Sequence, residues 1–429
     1  MFVIRIFMCL LLVPLFGMAG DGVVFDEWFE DRTLRMDFVF SGDSLLQTLS
    51  LDEVSSERGW AGRRRHLDTL CLEGYGQIYM NDALTGRLLY AHSFSTLFQE
   101  WQHTAEARHR VRAFESSFLL PMPKRPVEVT VELRNSHRRV TGRLVTPVDP
   151  HDILIRRLDA VKAAPHRYLQ RCGGTDECID IAIVAEGYTK GQRKLFLRDA
   201  RRFADALFAH EPFASLRGRF NIVAVAPASA DAGTSVPHDG LWKETTLGSH
   251  FDTFYSERYL TTLHLKRLQD VLTGIPYEHV VVLVNSDVYG GGGIYNLYML
   301  SSAHHKYSLP VMVHEFGHSF AGLGDEYAYG DDEPYFHEGV EPWEQNLTTL
   351  ADFGSKWADM VPQGVAVPTP APEGKDKDTE SVGVYEGGGY LSKGVYRPAP
   401  DCRMKVNDVP QFCPVCRRAI ERVVRFYTE

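Results

Sequence analysis

Residues 179–185, 220–226 and 279–285 are nearly continuous apolar runs dominated by Val and Ile. A strand with one wet face alternates apolar and polar residues. Runs without that alternation suit strands buried on both faces, as in a parallel sheet. Between the first two runs, Leu195, Phe196, Phe203, Leu207 and Phe208 recur at helical spacing, with Asp199 among them. Arg198, Arg201 and Arg202 fall on the opposite side, as on an amphipathic helix. Strand, helix, strand, helix predicts an α/β domain with a mixed, largely parallel sheet.

The preceding part of the chain has a different period. Residues 36–40 and 127–133 alternate strictly, which predicts half-buried strands with one wet face. Asn81-Asp82 and Thr85-Gly86 supply turns between such strands. An all-β, sandwich-like N-terminal domain over residues 21–146 fits this pattern. Residues 145–150 hold two prolines and read as a linker to a second domain, 147–429. Arg63, Arg64 and Arg65 read as a solvated loop. Residues from about 361 to 380 are polar and aperiodic and read as a loop or partly disordered insertion.

The first twenty residues have the layout of a secretory signal peptide. Arg5 leads, an apolar run follows over residues 6–16, and Gly17-Met18-Ala19-Gly20 gives a small-residue exit. That run is too short to span a bilayer comfortably. Export, to the periplasm, the cell surface or the medium, is therefore expected, with no integral membrane segment afterwards. Removing Cys9 leaves Cys71, Cys172, Cys178, Cys402, Cys413 and Cys416. An even number in an exported chain points to disulfides, including a bridge that ties down the Cys413-Pro414-Val415-Cys416 segment. The formal charge of −10 argues against a nucleic-acid partner.

The segment that carries chemistry is His314-Glu315-Phe316-Gly317-His318. Ser308 can cap a helix here and Pro310 fits its first turn. Residues four apart share a helix face, so both imidazoles can reach one metal ion. Glu315 lies beside that face, where a carboxylate can take a proton from water activated by Zn2+. Apolar flanks make the helix a buried one, and buried histidines and a carboxylate need a metal or partners. Two glycines, Gly322 and Gly324, then let the chain turn before Asp325 and Glu326. Asp325 is the expected third ligand. Adjacent residues in an extended exit point in opposite directions, which leaves Glu326 to structural hydrogen bonds.

The run HEFGHSFAGLGDEY resembles the signature of the bacterial IgA-peptidase family, metzincin-like zinc metallopeptidases with an added N-terminal β domain. Gly187-Tyr188-Thr189, residues 387–398 (GGGYLSKGVYRP) and Cys402-Arg403-Met404 with Phe412-Cys413-Pro414-Val415-Cys416 match as well. The resemblance covers essentially the whole chain after the leader. It implies a metzincin-like α/β fold, a zinc-dependent endopeptidase acting on a protein substrate, and Met404 in a turn beneath the metal. It also suggests that Gly290–Gly293 is a turn feeding a strand over residues 294–300, the edge on which metzincins align a peptide. One departure is plain. The commoner metzincin pattern has histidine six residues after the second ligand, where this chain has Gly324. Two rival readings stand beside this one. A thermolysin-like hydrolase would take Glu338 as third ligand, although the surrounding Pro and Gly lack helical periodicity. A catalytically silent binding or adhesion module on the same fold would not need Glu315.

Overall fold

The computed structural model describes residues 22–330, 335–371 and 378–429. The expected signal peptide and part of the expected 361–380 loop lie outside them. Among the described residues, no helix is long and apolar enough to cross a membrane.

The first part forms two four-stranded sheets. One has the order Arg112–Pro123, Phe29–Gly42, Gln47–Arg58, Arg156–Arg157. The other runs Leu88–Phe94, Gly76–Asp82, Val127–Arg134, Val140–Val148. All pairings are antiparallel except that of the two-residue strand. The sheets face each other across an aromatic core in which the Phe94 and Phe118 rings lie 4.3 Å apart. The expected linker is not one. Val145–Val148 belongs to the last strand, and Pro147 sits opposite Glu128. It is an edge strand, the one place in a sheet where proline is tolerated.

The later part holds a six-stranded sheet. Its order is Gly291–Ile294, Tyr298–Ser302, His279–Val284, Ile179–Glu186, Phe220–Val225, His166–Gln170. The four inner strands are parallel and both edges are antiparallel. Alternate residues of each inner strand enter different cores. Ile181, Ile183, Ile222, Ala224, Val281 and Leu283 pack under helices Arg193–Leu207, Ser308–Ala321 and Pro414–Thr428. Ala182, Val184, Val223, Val225, Val280 and Val282 join the aromatic core of the N-terminal sheets, together with helix Leu265–Leu272. The N-terminal sheets therefore cover the second face of the six-stranded sheet. That is why these strands show no polar phase.

This packing corrects two expectations. The polar face of strand Phe29–Gly42 is not wet: Arg35 and Asp37 are buried. Arg35 donates two hydrogen bonds of 2.8 Å to Asp37 and one of 2.6 Å to Asp270, on the helix over the second sheet. Within the basic cluster Arg65 is exposed as expected, but Arg63 is not solvated. Arg63 is buried, donates to the carbonyls of His66, Leu67, Thr69 and Ala91, and stacks on Tyr90 and Phe426. A guanidinium has five donors in a fixed fork, so a ring of carbonyls can satisfy it inside the protein. Charge pattern alone does not reveal such partners. Asp199, the polar residue on an apolar helix face, is buried likewise and accepts hydrogen bonds from Tyr188 at 3.1 Å and His304 at 2.8 Å.

His279 opens the central strand and is buried between the Phe320 and Tyr427 rings, with no partner for Nε2. Burial pushes its imidazole down to about 3. The folded state refuses a proton that the unfolded chain accepts below its ordinary value near 6.5. Stability from this group is complete above that value and is lost as pH falls toward 3. Between pH 7 and pH 5 the loss is about 2 kcal/mol for one such group. Denaturant unfolding of the protein and of His279→Phe at both pH values measures it. The variant should show a difference smaller by about that amount.

Candidate metal centre

Helix Ser308–Ala321 carries His314, Glu315 and His318. Ser308 is its first residue rather than its cap, which is Tyr307, and Pro310 falls within the first turn. The helix stops at Gly322, whose backbone is left-handed at φ 58°. A Cβ there would lie 2.4 Å from the Trp343 ring. Gly324 follows, locked on both sides by Asn346, which accepts from its amide at 2.7 Å and donates to its carbonyl at 2.9 Å. The chain then returns toward the helix with Asp325.

The structure brings His314, His318 and Asp325 together. The two Nε2 atoms are 3.0 Å apart. Asp325 Oδ1 is 2.9 Å from Nε2 of His314 and 3.2 Å from Nε2 of His318. Each imidazole is oriented from its far side. Nδ1 of His314 donates to the Arg403 carbonyl at 3.0 Å, and Nδ1 of His318 donates to the Leu323 carbonyl at 2.5 Å. Both Nε2 lone pairs are thereby directed at one point beside a carboxylate oxygen. Four-coordinate zinc with bonds near 2.0–2.1 Å to nitrogen sets its ligands roughly 3.3 Å apart. Two nitrogens and an oxygen at 2.9–3.2 Å fit that donor set.

The electrostatics follow from crowding. Burial opposes charge on His318, yet the Asp325 carboxylate beside it pushes the imidazole up to about 10. Burial likewise opposes charge on Asp325, and the two imidazoles outweigh it and hold the carboxyl well below its usual range. The Asp325 carboxylate thus draws positive charge to the point where the two imidazoles meet. Burial pushes the Glu315 carboxyl upward, against the pull of the two histidines. Glu326 points away from the histidines, into a buried group with Cys402, Cys413 and Cys416. Glu338 is exposed and, among the described residues, belongs to no such cluster. Met404 lies beneath the helix: a Cβ on Gly317 would be 2.8 Å from its sulfur, and its carbonyl accepts from the Glu326 amide at 2.9 Å.

The glycine run is not a turn. Gly291–Ile294 is itself the edge strand, antiparallel to Tyr298–Ser302, and residues 295–297 form the turn between them. A Cβ on Gly293 would stand 2.2 Å from the Glu315 carbonyl, so strand and helix touch backbone to backbone. The edge is partly covered already, since Tyr259 bridges to Gly291.

Sequence reading missed several neighbours. The Tyr390 hydroxyl donates to Asp325 Oδ2, the oxygen turned away from the histidines. Tyr390 stands within GGGYLSKGVYRP, but only the parallel pairing of Ala328 with Tyr390 puts it there. Burial first, and the Asp325 charge second, hold its hydroxyl well above the ordinary value, so it stays a donor. Glu100, from the N-terminal part, accepts from the Tyr259 hydroxyl, and its charge is felt by His318. Burial pushes Glu100 up to about 7. No local signal in the sequence announces a contact between residues so far apart. The expected disulfides are absent: all six described cysteines are free.

No curated protein matches this chain. Residues 168–377 and 371–424 match the family described as IgA Peptidase M64, and residues 24–145 match Peptidase M64 N-terminus. With matches over most of its length, the chain belongs to the IgA peptidase M64 family and is a peptidase.

Proposed function

We propose that the protein is an exported, zinc-dependent endopeptidase with a metzincin-like second domain. The observation that supports this best is the convergence of His314, His318 and Asp325 within 3.2 Å, beside Glu315 on the same helix. The N-terminal leader supports export. The mixed sheet, the glycine edge strand and Met404 beneath the helix support the metzincin-like reading.

His314, His318 and Asp325 would hold the zinc. When bound, the ion supplies a Lewis acid that polarises a peptide carbonyl and makes water acidic enough to lose a proton near neutrality. Glu315 takes that proton and delivers it to the departing amine nitrogen, so its carboxylate starts and ends the cycle unprotonated. Its raised affinity for a proton suits both halves of this task. The Arg403 and Leu323 carbonyls keep the imidazoles in one tautomer. Tyr390 fixes the rotamer of Asp325. The thermolysin-like alternative is not favoured, because Glu338 stands apart from the histidines.

Glu315→Gln should keep the fold and the metal while turnover falls by about 10²–10⁴, since an amide cannot accept the proton. Mass-spectrometric mapping of cleavage in a proteome-derived peptide library, with and without a zinc chelator, provides the assay. Chelator-sensitive cleavage that disappears in Glu315→Gln is the expected result. Cleavage that survives both treatments contradicts the reading, and a chain that binds peptides without cutting them is a binding module.

Asp325→Ala should weaken zinc binding by more than the roughly 10–100-fold typical of losing a ligand's hydrogen-bond partner. Tyr390→Phe should fall within that lesser range, and Glu338→Ala should leave affinity unchanged. Competition titration with a chromogenic chelator ranks the three variants.

A further inference from the structure

We propose that Glu326, Cys402, Cys413 and Cys416 form a second, structural zinc site. It is separate from the centre that would hold the catalytic ion and is argued from different residues, and only the zinc counts in its test take that centre as filled.

These four side chains come from two distant stretches of chain, residue 326 and residues 402–416, and meet in the core. All four are fully buried. One ligand atom from each can be chosen so that all lie within 4.8 Å of one another. The Sγ atoms of Cys402 and Cys416 are 3.8 Å apart. This is too long for a bond between the sulfurs. It is the edge of a tetrahedron around a zinc ion: with zinc–sulfur bonds near 2.3 Å, ligands stand about 1.6 times that distance apart, roughly 3.8 Å. Sγ of Cys416 also lies 3.2 Å from Glu326 Oε1. The number of sulfurs matters too. One disulfide among three cysteines would strand the third beside a buried carboxylate.

The surroundings suit thiolates and a cation. Cys413 caps helix Pro414–Thr428 and Cys416 lies in its first turn, where the helix end favours negative sulfur. The Cys413 amide donates to Cys402 Sγ at 3.3 Å. Glu326 has one oxygen held by Asn346 at 2.7 Å, while Oε2 is buried and has no hydrogen-bond partner. An unpartnered carboxylate oxygen inside a protein is costly, and a cation removes the cost. Three sulfurs and one carboxylate oxygen complete a closed tetrahedral shell with no place for water. That is the arrangement of a structural rather than a catalytic zinc. Binding would release the thiol protons as the ion enters.

The site would act on the reaction indirectly. Glu326 follows Asp325 in the chain, and Cys402 precedes Met404 by two residues. The Arg403 carbonyl between them orients His314. An ion joining Glu326 and Cys402 to the C-terminal helix would fix the turn that delivers Asp325 and the carbonyl that aims His314.

The test is metal content and zinc-edge absorption of the whole protein, purified with zinc present. The wild type should hold two zinc ions per chain. His314→Ala/His318→Ala should hold one, with about three sulfur neighbours near 2.3 Å. Cys416→Ser should drop the wild-type count from two to one. If that variant or the double-histidine variant does not fold, the wild-type spectrum decides alone, because among the described residues the other candidate group, His314, His318 and Asp325, contains no sulfur. One zinc per chain with no sulfur neighbour overturns the proposal. So does a disulfide among Cys402, Cys413 and Cys416 in the peptide map of the unreduced protein.

Discussion

The molecule is organised around one carboxylate, that of Asp325, set between two imidazoles. Its charge stabilises positive charge at that point, and every nearby backbone feature serves to hold it there. The helix must end for the chain to return, and Gly322 ends it beneath the Trp343 ring. The returning turn must be rigid, and Asn346 clamps Gly324 through both its amide and its carbonyl. The imidazoles must face the carboxylate, and two backbone carbonyls behind them set their orientation. One of those carbonyls belongs to Arg403, beside Met404. The C-terminal segment is thus part of the centre rather than an appendage to it.

The N-terminal sheets are bound into the same arrangement. They cover one face of the six-stranded sheet, while the helices cover the other. A parallel sheet left bare on one face would present a large apolar surface to water. The contact is polar at its margins: Arg35 reaches Asp270, and Asn296 donates to the Ser93 carbonyl at 2.8 Å. Glu100 and Tyr259 meet across this boundary close to the metal centre. The surroundings of the candidate metal centre are therefore built from both parts of the chain.

Much of this was legible in the sequence because periodicity reports burial. The three apolar runs are strands at Ile179–Glu186, Phe220–Val225 and His279–Val284. HEFGH lies on a helix, and the two glycines after it form its exit. What periodicity cannot report is the identity of the covering partner. Arg35 and Asp37 look like residues of a wet face because Asp270, which holds Arg35 from the second part, is far away in sequence. Arg63 looks solvated because carbonyls, which carry no sequence signal, satisfy it. The glycine run looks like a turn because glycine's usual role is conformational freedom. At Gly293 the reason is instead a backbone contact with Glu315. Tyr390 could not be assigned a role until strand pairing placed it against Asp325. The expected compartment favours disulfides, but geometry sets three of the cysteines beside a carboxylate.

The central claim is that one zinc ion is held by Nε2 of His314, Nε2 of His318 and a carboxylate oxygen of Asp325. Anomalous diffraction from crystals of the zinc-loaded protein, recorded on both sides of the zinc edge, tests it most directly. The account predicts an anomalous peak bonded to those three atoms at about 2.0–2.2 Å. A zinc peak that lacks Asp325 among its ligands, or no peak between the two histidines, would contradict it.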